Sequence, residues 1–429
     1  MQDRFDVVVI GAGAAGLAAA ARLSRSRLSV VVLEGQGRIG GRAYTLAARP
    51  DLPIDLGCGW IHSADRNPLT ALFEREDIPL DRTPPAWGRP EADLSLSPDE
   101  ARAFQQALNA FEARLAEAAK TGREDRASAH LPRQPRWLPL LEAFSAYYNG
   151  APLSQISVQD YGAFIDTGVN WRAPAGYGAA ICALADRSLV VPHCAVLSVD
   201  HSGPEIRLET ARGKITARAV ITTVSSALMA REAIRFDPPL PAKTDAAQGV
   251  PLGLANKVFL SPTAPADFPR EHHLRGAVDR AETGSYYLRP LGRPVIEAFF
   301  GGDHARALEA EGPGAAAALA QEELARAFGA KAGGRLRLVA ETRWGDDPYV
   351  LGAYSHALPG CAAARQELAA PVDGRLFFAG EATSATAFST AHGAWESGLR
   401  AADEALAALE RRDRKSTRLN LQSLAYLVC

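Results

Sequence analysis

Glycines, one acid and two arginines in the first 42 positions are spaced for anion chemistry. Gly11, Gly13 and Gly16 form a GxGxxG directly behind the apolar run at residues 7–10. The first glycine permits a tight turn, the second lets a phosphate approach the backbone, and the third lets the following helix lie against the strand. A second apolar run at 28–33 ends on Glu34, where a carboxylate can accept hydrogen bonds from an adenosine ribose. The stretch GRIGGR then sets Gly37, Gly40 and Gly41 among Arg38 and Arg42. Backbone N–H groups there can converge on a pyrophosphate, and the two guanidinium groups can neutralise it. Binding of a dinucleotide is the chemistry these residues suit.

A strand–turn–helix must position them. Residues 7–10 are too few for a helix and suit a buried parallel strand, after which the small-residue run AAGLAAAARL takes helical period. Downstream, IDLGCGWIH reads as a strand and a sharp turn with Gly57 and Gly59, followed by a helix from about Asn67. Ser97 is a cap for a helix with Ala103, Phe104, Leu108, Phe111 and Leu115 at helical spacing, and PLLEAFSAYYNG is a second helix stopped by Gly150. The aromatics of this region, Phe104, Phe111, Trp137, Phe144, Tyr147 and Tyr148, are expected in the core. The alternating ITARAVITTV suits a strand whose end at 222–225 returns to the nucleotide crevice. A further strand starts at Lys257, and RLFFAGE is a short buried strand ahead of a helix that begins near Thr390.

The composition frames these elements. At 429 residues and 45.6 kDa the chain exceeds one ordinary core, so two domains are expected. A formal charge of −2 leaves no nucleic-acid footprint, and no run is long enough to span a bilayer. The chain enters its first strand by about residue 5, so a cytoplasmic address is expected by default. Five cysteines without CxxC or metal spacing point to reduced thiols and no metal site.

From Glu34 to Arg42 the chain resembles the flavin-containing amine oxidase family, whose E-x-x-x-R-x-G-G-R pattern clasps FAD. The resemblance covers about residues 4–410, dense at both ends and thin from 84 to 140. It implies an α/β, two-domain flavoprotein: a Rossmann-type FAD-binding domain from residues 1–67, 171–240 and 369–412, and a substrate domain, a mixed sheet plus helices, from 68–170 and 241–368. Gly59 and Trp60 match a second FAD-contacting segment, and the GWIH turn is similar to that of the polyamine oxidase branch. His62 would then lie near the flavin and accept a proton from an incoming amine; otherwise it is a histidine satisfied by backbone at a turn. Val196 matches the position whose backbone meets adenine, and Gly380 and Glu381 match a ribityl- and phosphate-contacting motif. Ser225 stands where the family usually has proline.

Lys257, in Asn256-Lys257-Val258, matches the lysine that reaches flavin N5 through a water, where its charge assists oxygen activation. Without that role it would be a solvated charge on an edge strand. Tyr349 and Tyr354 would form an aromatic wall, with Tyr354 at one cage position and Thr390 at the other. Ala353 replaces the cysteine that tethers the flavin in monoamine oxidases, which implies non-covalent FAD. The implied reaction passes hydride from an amine α-carbon to N5, hydrolyses the imine, and returns electrons to oxygen as hydrogen peroxide. Its partners are a small amine and oxygen, with no nucleic acid or membrane and the oligomeric state left open. Two alternatives stand beside it: a related flavin oxidase or desaturase for an amino acid or apolar substrate, with Arg172 or Arg343 for a carboxylate, and a non-catalytic FAD-binding scaffold. Residues 413–429 look like sequencing-adapter read-through and are expected to be non-native.

Overall fold

The computed structural model describes residues 3–122, 125–133 and 135–427, with side chains as far as Arg414 apart from Pro135. Strand β1 (Arg4–Ile10) leads into helix α1 (Ala14–Leu23) and back into β2 (Val30–Leu33), which lies parallel to β1 with Val7 opposite Val30. The hairpin of β3 (Thr45–Arg49) and β4 (Leu52–Asp55) follows. A helical excursion then carries α2 (Pro68–Arg75), α3 (Pro98–Thr121) and α4 (Leu138–Asn149). Their ends are built as their sequences dictate. Asn67 accepts from Leu69 N, Ser97 and Glu100 form a reciprocal capping box, and Gly150 at φ +67° ends α4. Along α3, Phe104, Leu108, Phe111 and Leu115 are buried, whereas Ala103 is exposed.

The chain re-enters the first sheet as β5 (Val190–Val191), β6 (Val196–Asp200), β7 (Ile206–Thr210), β8 (Gly213–Thr222) and β9 (Arg235–Asp237), in the order β5-β2-β1-β8-β7-β6-β9. Alternation along β1 divides its side chains between two cores. Val7 and Val9 pack with Leu17, Phe377 and Trp395 on one face; Val8 and Ile10 pack with Leu33, Val220 and Phe378 on the other. Full burial of such a side chain stabilises the fold by about 1.5–3 kcal/mol.

A second sheet holds β10 (Ala255–Pro262), β11 (His272–Arg275), β12 (Ser285–Leu288), β13 (Ile296–Gly301) and β14 (Leu336–Glu341) in the order β11-β12-β13-β10-β14. Its pairings are all antiparallel, so the sheet is not mixed; β11, β12 and β13 follow one another by reversals, whereas β10 is inserted between β13 and β14 from earlier in the chain. Strand β10 lies between β13 and β14, so Lys257 is on an interior strand and not an edge. Finally β15 (Leu376–Phe378) returns to the first sheet beside β8, and the helix Ala391–Leu427 packs across α1. That crossing is close because both helices present small residues: a Cβ on Gly398 would stand 2.0 Å from Ala15 O. The backbone of residues 413–427 continues this helix, and Asp413 pairs with Arg218; the side chains from Lys415 on lie outside the described residues. Among the described residues no helix is long and apolar enough to cross a membrane, no acid, cysteine and histidine cluster suits a metal, and Cys58, Cys182, Cys194 and Cys361 are free thiols.

Candidate active site

One cavity of about 1000 Å³ runs from the tip of β1 to the face of the second sheet. At its first end the glycines act as their spacing requires. Gly11 turns at φ +101°, with a would-be Cβ 2.6 Å from Thr223 Oγ1, and a Cβ on Gly16 would stand 1.9 Å from Gly11 O. Gly13 has open space instead, its nearest neighbour being Gly40 O at 3.9 Å. No side chain among the described residues caps α1, and Gly13, Ala14 and Ala15 line the cavity, so the positive end of the helix is left for an anion. Gly40 at φ +99° and Gly41 at φ +57° close the opposite side, with Gly40 N bonded to Ala12 O at 2.8 Å. The Glu34 carboxylate accepts from Ala12 N at 2.8 Å and from Gln36 N at 2.7 Å, and faces the cavity beside Val196.

The two arginines are placed differently. Arg38 donates to Gly41 O at 2.6 Å, stacks 4.1 Å from the Tyr44 ring and does not line the cavity; the oxygen and the ring nearest its cation are the protein's own. Gly37 also serves packing, since a Cβ there would lie 2.6 Å from the His193 ring. Arg42 does line the cavity, bonded to Ala353 O and to Glu381 Oε1, each at 2.8 Å. Glu381 further accepts from Ser355 Oγ at 2.6 Å and Ser389 N at 2.8 Å. Burial alone would raise its pKa; Arg42, Ser355 and Arg365 together hold it below the usual carboxylate range. Behind Ser355, Arg365 clamps Asp160 through Nε and Nη2 and lies 3.8 Å over the Phe388 ring. Ser225, in place of the usual proline, caps the helix Ser226–Ala230 and donates to Val350 O at 2.8 Å.

At the second end, the register of the antiparallel sheet sets two rows of side chains across its cavity face. One reads Lys257, Phe299, Ser285, Arg275; the other reads Phe259, Glu297, Tyr287, His273. All eight line the cavity, while their alternates, among them Val258, Tyr286, Ala298 and Leu274, enter the core behind. Lys257 is buried and donates to Asp55 O at 3.0 Å, with Glu297 Oε1 at 2.8 Å and the Cβ direction of Gly59 pointing at Nζ. An ammonium has three N–H donors, so one remains for a water or ligand. Cys58 lies in the same wall, its thiol pushed up to about 12 by burial and then by Asp55.

His62 also lines the cavity, with Nδ1 at 2.6 Å from Asn170 Oδ1. Asn170 Nδ2 donates to Gly168 O at 3.0 Å, which turns Oδ1 toward the ring; Nδ1 therefore carries the hydrogen and Nε2 keeps a lone pair. Burial, only partly offset by Asn170, pushes the imidazole below its usual pKa, so it is neutral at pH 7. Trp60 lies 4.3 Å from Trp87 and 5.8 Å from Tyr287, with the Arg172 guanidinium 5.1 Å over its ring.

Several aromatic expectations are corrected. Tyr349 lines the same cavity as Tyr354 but at the nucleotide end, its ring covering Gly35. Tyr354 lines the cavity with its hydroxyl donated to Tyr147 O, leaving the ring to face inward. Thr390 lines it too, but its hydroxyl donates to Ala387 O and accepts from Gly393 N, as a helix cap does. The ring from this segment is Phe388. It continues a ladder in which Phe144 and Tyr148 stack at 5.4 Å, Tyr148 meets Phe164 at 5.8 Å, and Phe164 meets Phe388 at 5.2 Å. All four rings, with Phe104 and Tyr147, line the cavity; Phe104 is at the same time part of the helical core with Phe111 and Trp137, and Phe144 packs against it. The available signal was the i, i+4 spacing of Phe144 and Tyr148, which fixes a shared face and not what it faces. Of the arginines, Arg172 lines the cavity, whereas Arg343 pairs with Asp346 outside it.

A fold and cavity of this kind suit a nucleotide cofactor, and the family match gives the class. The flavin containing amine oxidoreductase family matches residues 14–160 and 98–406, and the chain belongs to that family. Membership implies a flavin cofactor. A lysine-specific histone demethylase 1 homolog 3 of Oryza sativa subsp. indica is 29% identical over 438 residues, covering 92% of this chain and 53% of that protein. The chain thus spans about half the length of such demethylase relatives. Polyamine oxidase 3 of Oryza sativa subsp. japonica is 29% identical over 435 residues, 92% of this chain and 88% of the relative. Among solved structures, cyclohexylamine oxidase from Brevibacterium oxydans IH-35A shares the fold with TM-score 0.76 at 21% identity, covering 95% of this chain and all of that one.

Proposed function

We propose that the protein oxidises a small amine with FAD held non-covalently, and passes the electrons to oxygen. The observation that carries this reading is the continuity of one cavity from Glu34 and the glycine turns to Lys257 and the aromatic ladder. Gly11, Gly13, Glu34, Gly40, Gly41, Arg42, Val196, Gly380 and Glu381 would hold the cofactor, and the uncapped start of α1 fits its pyrophosphate. Bound FAD supplies a hydride acceptor for an amine α-carbon and, once reduced, a reductant for oxygen.

The chain's own groups prepare the amine. His62 Nε2, with its partner nitrogen fixed on Asn170, takes the proton that an arriving ammonium must lose. Tyr354, Phe388 and the rings of the ladder give the free amine apolar walls that exclude water and fix its orientation. The third N–H of Lys257 holds a water beside the reacting region, and its charge favours negative charge developing on oxygen. Product imine hydrolyses in water. Ala353 offers no nucleophile, and the Cys58 thiol is held protonated, which supports a non-covalent cofactor.

Purified protein is expected to be yellow, to release its flavin on acid precipitation, and to bleach when mixed anaerobically with a panel of monoamines, polyamines and amino acids. Peroxide should form on admission of air. Flavin left on the denatured chain would overturn the non-covalent assignment, and bound flavin that no amine bleaches would leave the scaffold reading.

A further inference from the structure

The two rows across the second sheet form a ruler. Three inter-strand steps of about 4.7–4.9 Å put Arg275 and His273 roughly 14 Å from Lys257 and Phe259. The charge along the ruler is uneven. Its one carboxylate, Glu297, is already paired with Lys257 at the near end. At the far end the acid that balances Arg275 is Asp93, which stands behind the cavity wall and engages Nη1. Asp93 is otherwise occupied, its Oδ1 accepting from Ser95 N at 2.8 Å and Leu96 N at 3.3 Å. No protein acceptor among the described residues takes Arg275 Nε or Nη2, while the guanidinium faces the cavity 5.5 Å from the Phe104 ring. Beside it stand Gln105, the Ser285 hydroxyl and His273, whose Nε2 is 2.8 Å from Ser285 Oγ. Burial, then Arg275, pushes His273 down to about 3, so the imidazole stays neutral and Arg275 sets the local charge. Arg172, in the same cavity, repeats the arrangement: its acids Asp81 and Glu271 lie behind the lining.

We propose that Arg275 recognises a hydrogen-bond-accepting oxygen, carboxylate or amide, at the far end of the substrate, and that a second ammonium is disfavoured there. This rests on the amine oxidase reading above. A cation at the far end would meet Arg275 with no free carboxylate to offset it, whereas an oxygen acceptor finds charge-assisted donors in a largely desolvated wall. A substrate lying along the ruler is then a monoamine with a polar, uncharged or anionic tail, and not a polyamine; Asp166, a carboxylate that lines the cavity off the ruler, accepts from Ser63 Oγ and Gly168 N through Oδ1.

The test uses FAD-loaded protein and four eight-carbon probes: ω-aminooctanoate, octylamine, 1,8-diaminooctane and ω-aminooctanamide, the last to separate carboxylate from amide. Binding is measured calorimetrically, and flavin bleaching anaerobically. The wild type is expected to bind aminooctanoate or its amide on the order of ten- to a hundredfold more tightly than the diamine. Arg275→Gln should abolish that preference. Because this change leaves Asp93 without its partner, the double variant Arg275→Gln/Asp93→Asn is measured beside it at matched melting temperature and flavin content. A diamine that binds best, or a preference unchanged in both variants, overturns the proposal. If no amine bleaches the flavin, the amine oxidase reading fails, and the calorimetric comparison still decides the distal site.

Discussion

Lys257 Nζ sits 2.8 Å from Glu297 Oε1 while its backbone lies on the strand between β13 and β14. The pairing fixes a lysine that would otherwise have several rotamers, and holds its charge at one end of the cavity beside Gly59.

Lys257→Met keeps the aliphatic stem and removes the charge. Flavin content should persist, while reoxidation by oxygen should slow by roughly a hundred- to thousandfold, as for loss of one preorganised electrostatic contact. Stopped-flow reoxidation of photoreduced wild type and variant makes the comparison without a substrate. Equal rates at equal flavin occupancy would remove Lys257 from the chemistry.

Gly16→Ala places a methyl 1.9 Å from Gly11 O, a backbone atom that can move only with the turn itself. The expected outcome is a loss of at least about 1–3 kcal/mol and a sharply lowered flavin-to-protein ratio. Gly13→Ala, whose Cβ meets nothing closer than 3.9 Å, should fold normally and lose flavin alone. Thermal melts and flavin absorbance distinguish the two.

Arg365→Met strands Asp160, which is buried and takes two guanidinium bonds. A loss of about 3–5 kcal/mol is expected, with part recovered in Arg365→Met/Asp160→Asn, where no lone charge remains. Urea unfolding of both variants checks this. Equal stability of single and double variants would show that the pair's charge is not what matters.

His356 is buried with both ring nitrogens unpartnered, and burial, then Arg365, pushes it down to about 4. The unfolded chain binds the proton near the ordinary value of about 6.5, so the folded state binds fewer protons as pH falls. Stability is therefore full above about pH 6.5 and declines between there and about pH 4, by roughly 3 kcal/mol for this residue. His273 and His392, pushed down to about 3 and about 4 chiefly by burial, add in the same direction. His356→Phe should flatten the fall in melting temperature across that window; an unchanged slope would show that other groups carry it.

What the sequence by itself determined is what depends on neighbours along the chain. The turn at Gly11, the reach of Glu34, the caps at Asn67 and Ser97 and the stop at Gly150 follow from local sterics and hydrogen bonding. The family pattern at 34–42 was legible for the same reason, and the two-domain expectation came from chain length and that resemblance. Only the tertiary structure decided which side chains meet. Period-two alternation places His273 with Arg275, Ser285 with Tyr287, Glu297 with Phe299 and Lys257 with Phe259, but the rows exist only once inter-strand register is fixed, and a slip of one residue would turn every one of them to the core. The same limit applies to Phe144 and Tyr148, since a helical face looks identical whether it meets a core or a cavity. It explains Tyr349 as well: it was assigned by position along the chain, and its ring met Gly35 through the fold.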